Sequence, residues 1–134
     1  MLKAMKKKVL ILVMMLVTAS GFMMTGSTST DAKAKKVEYL GRYKLTAYCG
    51  CRQCSGKWGN RTASGRRAKQ GRTIAVDRRK IKLGTKVRIN GKTYVAEDVG
   101  GGVKGKHIDV YFKSHKKTKR FGRKTGVKVY KIKK

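Results

Sequence analysis

The 134-residue sequence contains no proline, and its 6 Asp and Glu face 36 Lys and Arg. With no proline and no short repeat, collagenous and low-complexity chains are excluded. Aromatics make up 7% of the chain, with a single tryptophan. No aromatic pair flanked by Lys and Arg forms a single-strand nucleic-acid platform, and there is no zinc finger or helix-turn-helix pattern. No long segment shows the 3.6-residue period of an amphipathic helix, which argues against a helical bundle. After residue 34, no apolar run approaches the ~20 residues that a membrane helix needs.

What is present fits one small domain. The hydrophobic fraction is 40% and there are 16 glycines, enough for a modest core and too much for a charged disordered tail. The net charge of +30 must sit on the solvated shell. It predicts fast, salt-sensitive, unselective adhesion to acidic polymers such as teichoic acids, wall-peptide carboxylates and lipid headgroups. It implies no specific nucleic-acid partner, and the chain is expected to be a monomer.

Residues 1–34 read as an export signal. Lys3, Lys6, Lys7 and Lys8 precede the apolar run Val9–Val17, and Ala32-Lys33-Ala34 has the small-x-small form of a cleavage site. An uncleaved N-terminal anchor is the alternative. Val9 to Met24 spans only 16 residues and includes Thr, Ser and Gly, short of the ~20 of a spanning helix. The expected location is therefore secreted or cell-wall-associated, of Gram-positive type. The remaining 100 residues hold 31 basic and 5 acidic side chains.

Residues 35–42 read as a polar lead-in to a domain over 43–134. Tyr43, Leu45 and Ala47 alternate with polar residues as in a half-buried strand. Residues 50–71 are loop-like. Ile74–Asp77 is a short strand, and Asn90-Gly91 between Lys86–Ile89 and Thr93–Glu97 marks a type I′ hairpin. After the Gly100-Gly101-Gly102 break, His107–Phe112 is another strand. Ser114 caps a short helix that Gly122 ends, and Val127, Val129 and Ile132 mark a last strand. About six short strands with one helical turn predict a mainly β barrel or sandwich.

Acids are the informative residues because they are scarce. Asp77, Asp98 and Asp109 each border or interrupt an apolar strand segment, where a carboxylate is costly unless it is paired or used. Alternation places Asp109 opposite Ile108 and Val110, on a face shared with His107 and Tyr111. If that face lines a cleft, burial would raise the acid's pKa, as a general acid requires, while the positive field of the domain opposes it. Gly100–Gly105 lacks the full pattern of a phosphate cradle; a turn admitting a substrate between two acid-bearing strands fits better. Trp58 and Tyr48 could stack on sugars or pack over the barrel mouth. Cys49, Cys51 and Cys54 could bind zinc with His107 or His115 as fourth ligand. A second ligand pair is missing, so a local disulfide plus a free thiol, or plain thiols throughout, is preferred over metal.

Several segments in order resemble the three-aspartate (3D) domain. They are Thr46–Cys49, Thr62–Gly65, Gly71–Asp77, Leu83–Thr85, Ala96–Gly101 and Gly105–Phe112. That domain is similar to the catalytic barrel of membrane-bound lytic transglycosylase A and to stationary-phase survival proteins. The resemblance runs from about Tyr43 to Ile132 and implies a six-stranded double-psi β-barrel with Asp77, Asp98 and Asp109 as the named aspartates. It implies peptidoglycan glycan strands as substrate and cleavage between N-acetylmuramic acid and N-acetylglucosamine without water. No cofactor is implied.

On that resemblance Asp109 is the catalytic acid/base and Asp98 orients the site or stabilises positive charge on the ring. Asp77, Tyr48, Thr62 and Lys104 are candidates for shaping the cleft or holding substrate. The family's prolines after the first aspartate and before Leu-Gly are replaced by Arg78 and Lys82, and its Thr after the second aspartate by Val99. The competing expectations are a non-catalytic, cationic wall-binding module and a nucleic-acid- or membrane-binding cation.

Overall fold

A computed structural model of the protein describes residues 35–134; the expected leader over residues 1–34 lies outside the described residues. Six strands account for most of the ordered backbone: β1 (Val37–Tyr48), β2 (Thr73–Val76), β3 (Lys86–Ile89), β4 (Lys92–Asp98), β5 (His107–Tyr111) and β6 (Lys124–Ile132). They close in a ring in the order β1-β5-β2-β4-β3-β6, so that every strand has two bonded neighbours and no edge is left open. Pairs β1/β5 and β2/β4 are parallel, and the other four are antiparallel. The mainly β, six-stranded expectation is met. Among the described residues no helix is long and apolar enough to cross a membrane.

The elements follow local chemistry. Asn90 and Gly91 both have positive φ (49° and 76°), the mirror-image turn that joins β3 to β4 with matching twist. Ser114 caps helix α2 (His115–Phe121) by accepting the Lys117 N–H at 3.3 Å, and the chain leaves at Gly122 with φ 64°. The loop over residues 50–71 contains only the four-residue helix α1 (Arg52–Ser55) and a 3-10 turn (Gly56–Trp58). Gly50 is needed there, because a Cβ at that position would overlap the Asn60 side chain.

One strand differs from its expected extent. β1 starts at Val37, within the stretch read as lead-in, because Val37, Glu38 and Tyr39 pair with Ile132, Lys131 and Tyr130 of β6. Those positions are exposed, so no hydrophobic alternation announces them.

The core takes one face of each strand. Leu45, Ile74, Val76, Val87, Ile89, Ala96, Ile108, Val110 and Val129 are buried together, and each large aliphatic side chain contributes roughly 1.5–3 kcal/mol by leaving water. The alternate positions face the other way. Register aligns three of them, Thr46 of β1 with Asp109 of β5 and Asp109 with Ala75 of β2, and a register shift between Ile74 and Ala75 sets Asp98 of β4 beside Ala75 in the same row. A small residue thus lies between two aspartates across three neighbouring strands.

Because Ile108 is fully buried at the centre of this core, Ile108→Ala is expected to lower unfolding free energy by about 2–5 kcal/mol. Lys86→Ala, exposed on β3, should change it by less than about 0.5 kcal/mol. Urea denaturation of both variants checks the contrast.

Candidate active site

The row Thr46–Asp109–Ala75–Asp98 opens onto a cleft of about 590 Å³ lined by Tyr48, Trp58, Arg61, Thr62, Ala63, Ala75, Asp98, Gly100, Gly101 and Asp109, among others. Strands supply the acids and the loop over residues 50–71 supplies the facing wall. Gly100 and Gly101 line it from the turn after β4 without adding side chains.

Asp109 is half-buried. Its Oδ1 accepts the Thr46 hydroxyl at 2.9 Å, and Thr46 Oγ1 lies 2.7 Å from His107 Nε2. The other ring nitrogen, Nδ1, lies 3.1 Å from the Gly102 carbonyl. A carbonyl only accepts, so Nδ1 carries a hydrogen. Thr46 has one hydrogen to give. If Asp109 receives it, Nε2 must donate to Thr46 and the ring is an imidazolium facing a carboxylate. If Nε2 is bare, Thr46 turns to it, and Asp109 must supply the proton that closes its own contact with Thr46. Thr46 thus bridges the ring nitrogen and the carboxyl, with one hydrogen to give between them. Burial pushes the Asp109 carboxyl above its ordinary value; the Thr46 bond and nearby His107 oppose this, and the Asp98 charge adds to the rise.

Asp98 is held differently. Its Oδ2 accepts the Tyr48 hydroxyl at 2.8 Å, and its Oδ1 accepts the backbone N–H of Ala63 (3.0 Å) and of Val99 (2.9 Å). Three donors from three segments fix its direction. Burial, and then the Asp98 carboxylate, raise the Tyr48 phenol far above its usual value, so it stays a donor.

The remaining acids of the described residues are all paired with cations. Glu97 is gripped by Arg72 at 2.7 Å, Asp77 by Arg79 at 2.7 Å, and Glu38 by Lys133 at 3.3 Å. Burial of Glu97 opposes its ionisation, but the bonds from Arg72 and Thr73 outweigh it and lower its pKa. The two acids without an ion pair among the described residues are Asp98 and Asp109, the two in the cleft.

Among the expected site residues, Asp109, Asp98, Tyr48 and Thr62 meet at this cleft. Thr62 contributes from a buried position, its hydroxyl donating to the Arg66 carbonyl at 2.6 Å. Asp77 and Lys104 do not meet there; both line a separate groove with Arg79 and Val103. The Asp77 side chain is 4% exposed, and both its oxygens are engaged by Arg79 and by the Gly105 N–H at 2.9 Å. It anchors the turn that leads into β5 instead of presenting a free group to substrate. Trp58 is 64% exposed at the cleft rim, a position for stacking on a ring and not for packing over the barrel mouth. Cys49, Cys51 and Cys54 are free thiols, with Cys54 beside the cleft; no disulfide joins them.

Sequence reasoning missed Thr46 and its contact with His107. The alternation on β5 had placed His107 on the Asp109 face, but Thr46 joins them only through the parallel pairing of β1 with β5.

The family model of the 3D domain matches residues 72–133. The match takes in Asp77, Asp98 and Asp109. Thr46, Tyr48 and the loop wall lie before the matched residues, so β1 and the 50–71 loop complete the cleft around the 3D aspartates. YabE of Bacillus subtilis (strain 168), named as a cell wall shaping protein, is 36% identical over 113 residues, covering 81% of this chain and 26% of YabE. Among solved structures, Escherichia coli MltA, described as having a unique lytic transglycosylase fold, is 27% identical with a TM-score of 0.48, covering 55% of this chain and 27% of MltA. A form of MltA with bound chitohexaose is similar at 26% identity and the same TM-score of 0.48. The chain spans about a quarter of the length of each of these proteins.

The pairing of Asp77 predicts an acid-dependent contribution to stability. The Arg79 guanidinium and the Gly105 N–H hold its carboxyl well below the ordinary 3.8. Its folded pKa is therefore lower than its unfolded one, so the stabilisation is complete above the unfolded value and lost as pH falls through the folded one. The stability advantage of the wild type over Asp77→Asn, from urea midpoints across pH, should be largest near neutrality and shrink below about pH 4. A difference that does not change with pH would contradict this.

Proposed function

We propose that this domain is a lytic transglycosylase of peptidoglycan, cutting the bond between N-acetylmuramic acid and N-acetylglucosamine without water. The observation that carries the reading is the shared cleft: Asp98 and Asp109 line one open groove and escape ion pairing in a domain with 31 basic residues. We also assign the closed ring as a double-psi β-barrel, a reading supported by its two parallel pairings within an otherwise antiparallel ring.

Most glycosidases use two carboxyls, one as acid and one as base or nucleophile. Here the substrate supplies the nucleophile. As the bond from C1 to the glycosidic oxygen breaks, Asp109 gives its proton to that leaving oxygen. The 6-hydroxyl oxygen of the same muramic ring bonds to C1, and its proton returns to Asp109, leaving a 1,6-anhydro sugar. An attacking group carried in the same ring has a high effective concentration, which removes the need for a bound water. Asp98, fixed by its three donors, faces the positive charge that develops on the ring. Thr46 and His107 let the proton on Asp109 move within a hydrogen-bonded set, and the half-buried site keeps that proton in place before attack. Trp58 and Tyr48 offer aromatic surface to neighbouring sugars. The cationic shell holds the protein on anionic wall polymers, consistent with a secreted or wall-associated location of Gram-positive type.

The cationic surface also supports a second reading, a wall-binding module without catalysis. Digestion of purified peptidoglycan followed by mass analysis separates the two. The wild type should release 1,6-anhydro-muropeptides, at a rate that falls as pH rises through the Asp109 titration, because the acid must start protonated. Asp109→Asn should lower that rate by about 10²–10⁴-fold. Undiminished activity in Asp109→Asn, or products ending in a hydrated reducing sugar, would overturn the mechanism. Binding without any cleavage would establish the second reading.

A further inference from the structure

A second cluster of reactive side chains lies behind the cleft wall. Cys49 follows the last residue of β1, Cys51 and Cys54 bracket the first turn of α1, and His115 opens α2. The fold brings all four together, with their ligand atoms within 4.8 Å of one another. His115 Nδ1 lies 3.8, 3.6 and 3.4 Å from the sulfurs of Cys49, Cys51 and Cys54. The Cys49 sulfur is 3.1 Å from that of Cys51 and 3.6 Å from that of Cys54.

We propose that Cys49, Cys51, Cys54 and His115 form a structural zinc site that fastens the wall of the cleft. Bond lengths of ~2.3 Å to sulfur and ~2.0 Å to nitrogen place the corners of a tetrahedron about 3.5–3.8 Å apart. The three sulfur–nitrogen distances lie within about 0.3 Å of the ~3.5 Å sulfur–nitrogen spacing, the Cys49–Cys54 sulfurs within about 0.2 Å of the ~3.8 Å sulfur–sulfur spacing, and the Cys49 and Cys51 sulfurs would spread by about 0.7 Å. Three sulfurs and one imidazole in a compact tetrahedral set select zinc among common divalent ions. Four protein ligands leave no open position, so the site is closed and structural, not catalytic. Binding exchanges three thiol protons for one Zn²⁺, leaving a three-thiolate, one-imidazole centre.

Further features favour metal over a disulfide. The missing second ligand pair of the sequence is Cys49 with His115, separated from each other by 66 residues and joined only by the fold. His107, the other histidine, faces Thr46 and Gly102 and is committed elsewhere. A single disulfide would leave one sulfur and His115 unused. The imidazole Nε2 is buried with no partner among the described residues, so the polar contacts of the ring are all at Nδ1, turned toward the sulfurs. The later part of the loop is tied down by the Ser64 N–H to the Glu97 carbonyl (3.0 Å) and the Tyr111 hydroxyl to Asn60 Oδ1 (2.7 Å), but its start, the stretch holding α1 and the 3-10 turn, has little packing. Neither α1 nor the 3-10 turn buries a residue, and Cys51 at the N-cap of α1 makes no side-chain capping bond. Yet Trp58, Thr62 and Ala63 of this loop form the wall facing the aspartates, and Ala63 positions Asp98.

The inference is independent of the glycan reading, and metal binding tests it without any activity assay. The full chain, purified under reducing conditions and desalted after addition of zinc, should retain one zinc per chain by elemental analysis. Anaerobic titration with Co²⁺ should give a sulfur-to-cobalt charge-transfer band and intense tetrahedral d–d bands, saturating at one equivalent and abolished by zinc. His107→Gln should keep the full equivalent, whereas Cys54→Ser should lose the retained metal. His115→Gln should keep the charge-transfer band but shift the d–d bands. A reduced wild-type chain that retains no zinc and gives only the pale spectrum of hydrated Co²⁺ would overturn the proposal. So would a native disulfide within the cluster whose reduction restores no metal uptake. Because the decisive titration uses the wild type, a variant that fails to fold does not affect the outcome.

Discussion

The parallel register between β1 and β5 is the constraint on which the candidate site depends. Pairing Thr46 with Asp109 puts a hydroxyl against the carboxyl, and the neighbouring pair of Lys44 with His107 brings the imidazole within reach of that hydroxyl. A slip of one residue would turn Asp109 toward the core and expose Ile108 and Val110. The register is therefore enforced by the same aliphatic burial that stabilises the domain. The geometry of the cleft and the folding energy are coupled through one pair of strands. Ala75 extends this logic to Asp98, since a larger side chain between the two aspartates would fill the cleft that all three line.

Charge is organised around the same place. With 31 basic residues among the last 100, the default fate of any acid is an ion pair, and Glu38, Asp77 and Glu97 follow it. Asp98 and Asp109 instead take hydrogen bonds from neutral donors, Tyr48, Thr46 and backbone N–H groups. An arginine against Asp109 would hold its proton affinity down, as Arg79 does for Asp77. Keeping guanidinium groups out of contact leaves burial free to act in the opposite direction.

Much of this was readable in the sequence because it is local. Asn90-Gly91, the Ser114 cap and the alternation around Asp109 each depend on residues within one turn or strand, and each appears in the structure as expected. The resemblance to the 3D domain located the two cleft aspartates. What escaped was nonlocal. Thr46 is 63 residues from Asp109, and no spacing rule links a threonine to an acid in a different strand. His115 is 61 residues from Cys54, so the cysteines looked like an incomplete set. Asp77 and Lys104 looked like cleft residues by motif, but Arg79, only two positions beyond Asp77, closes over its carboxylate. The start of β1 was hidden because an exposed strand end held by backbone pairing to β6 carries no hydrophobic signature.

The central claim is that Asp109 holds a proton more tightly than an ordinary aspartate while hydrogen-bonded to Thr46. Its carboxyl carbon can be followed directly by ¹³C NMR across pH in the wild type and in Thr46→Val. The account predicts a wild-type midpoint above the ordinary 3.8, and a higher one in Thr46→Val, where the hydrogen bond that favours the carboxylate is gone. A wild-type midpoint at or below 3.8, or one that Thr46→Val leaves unmoved, would contradict it.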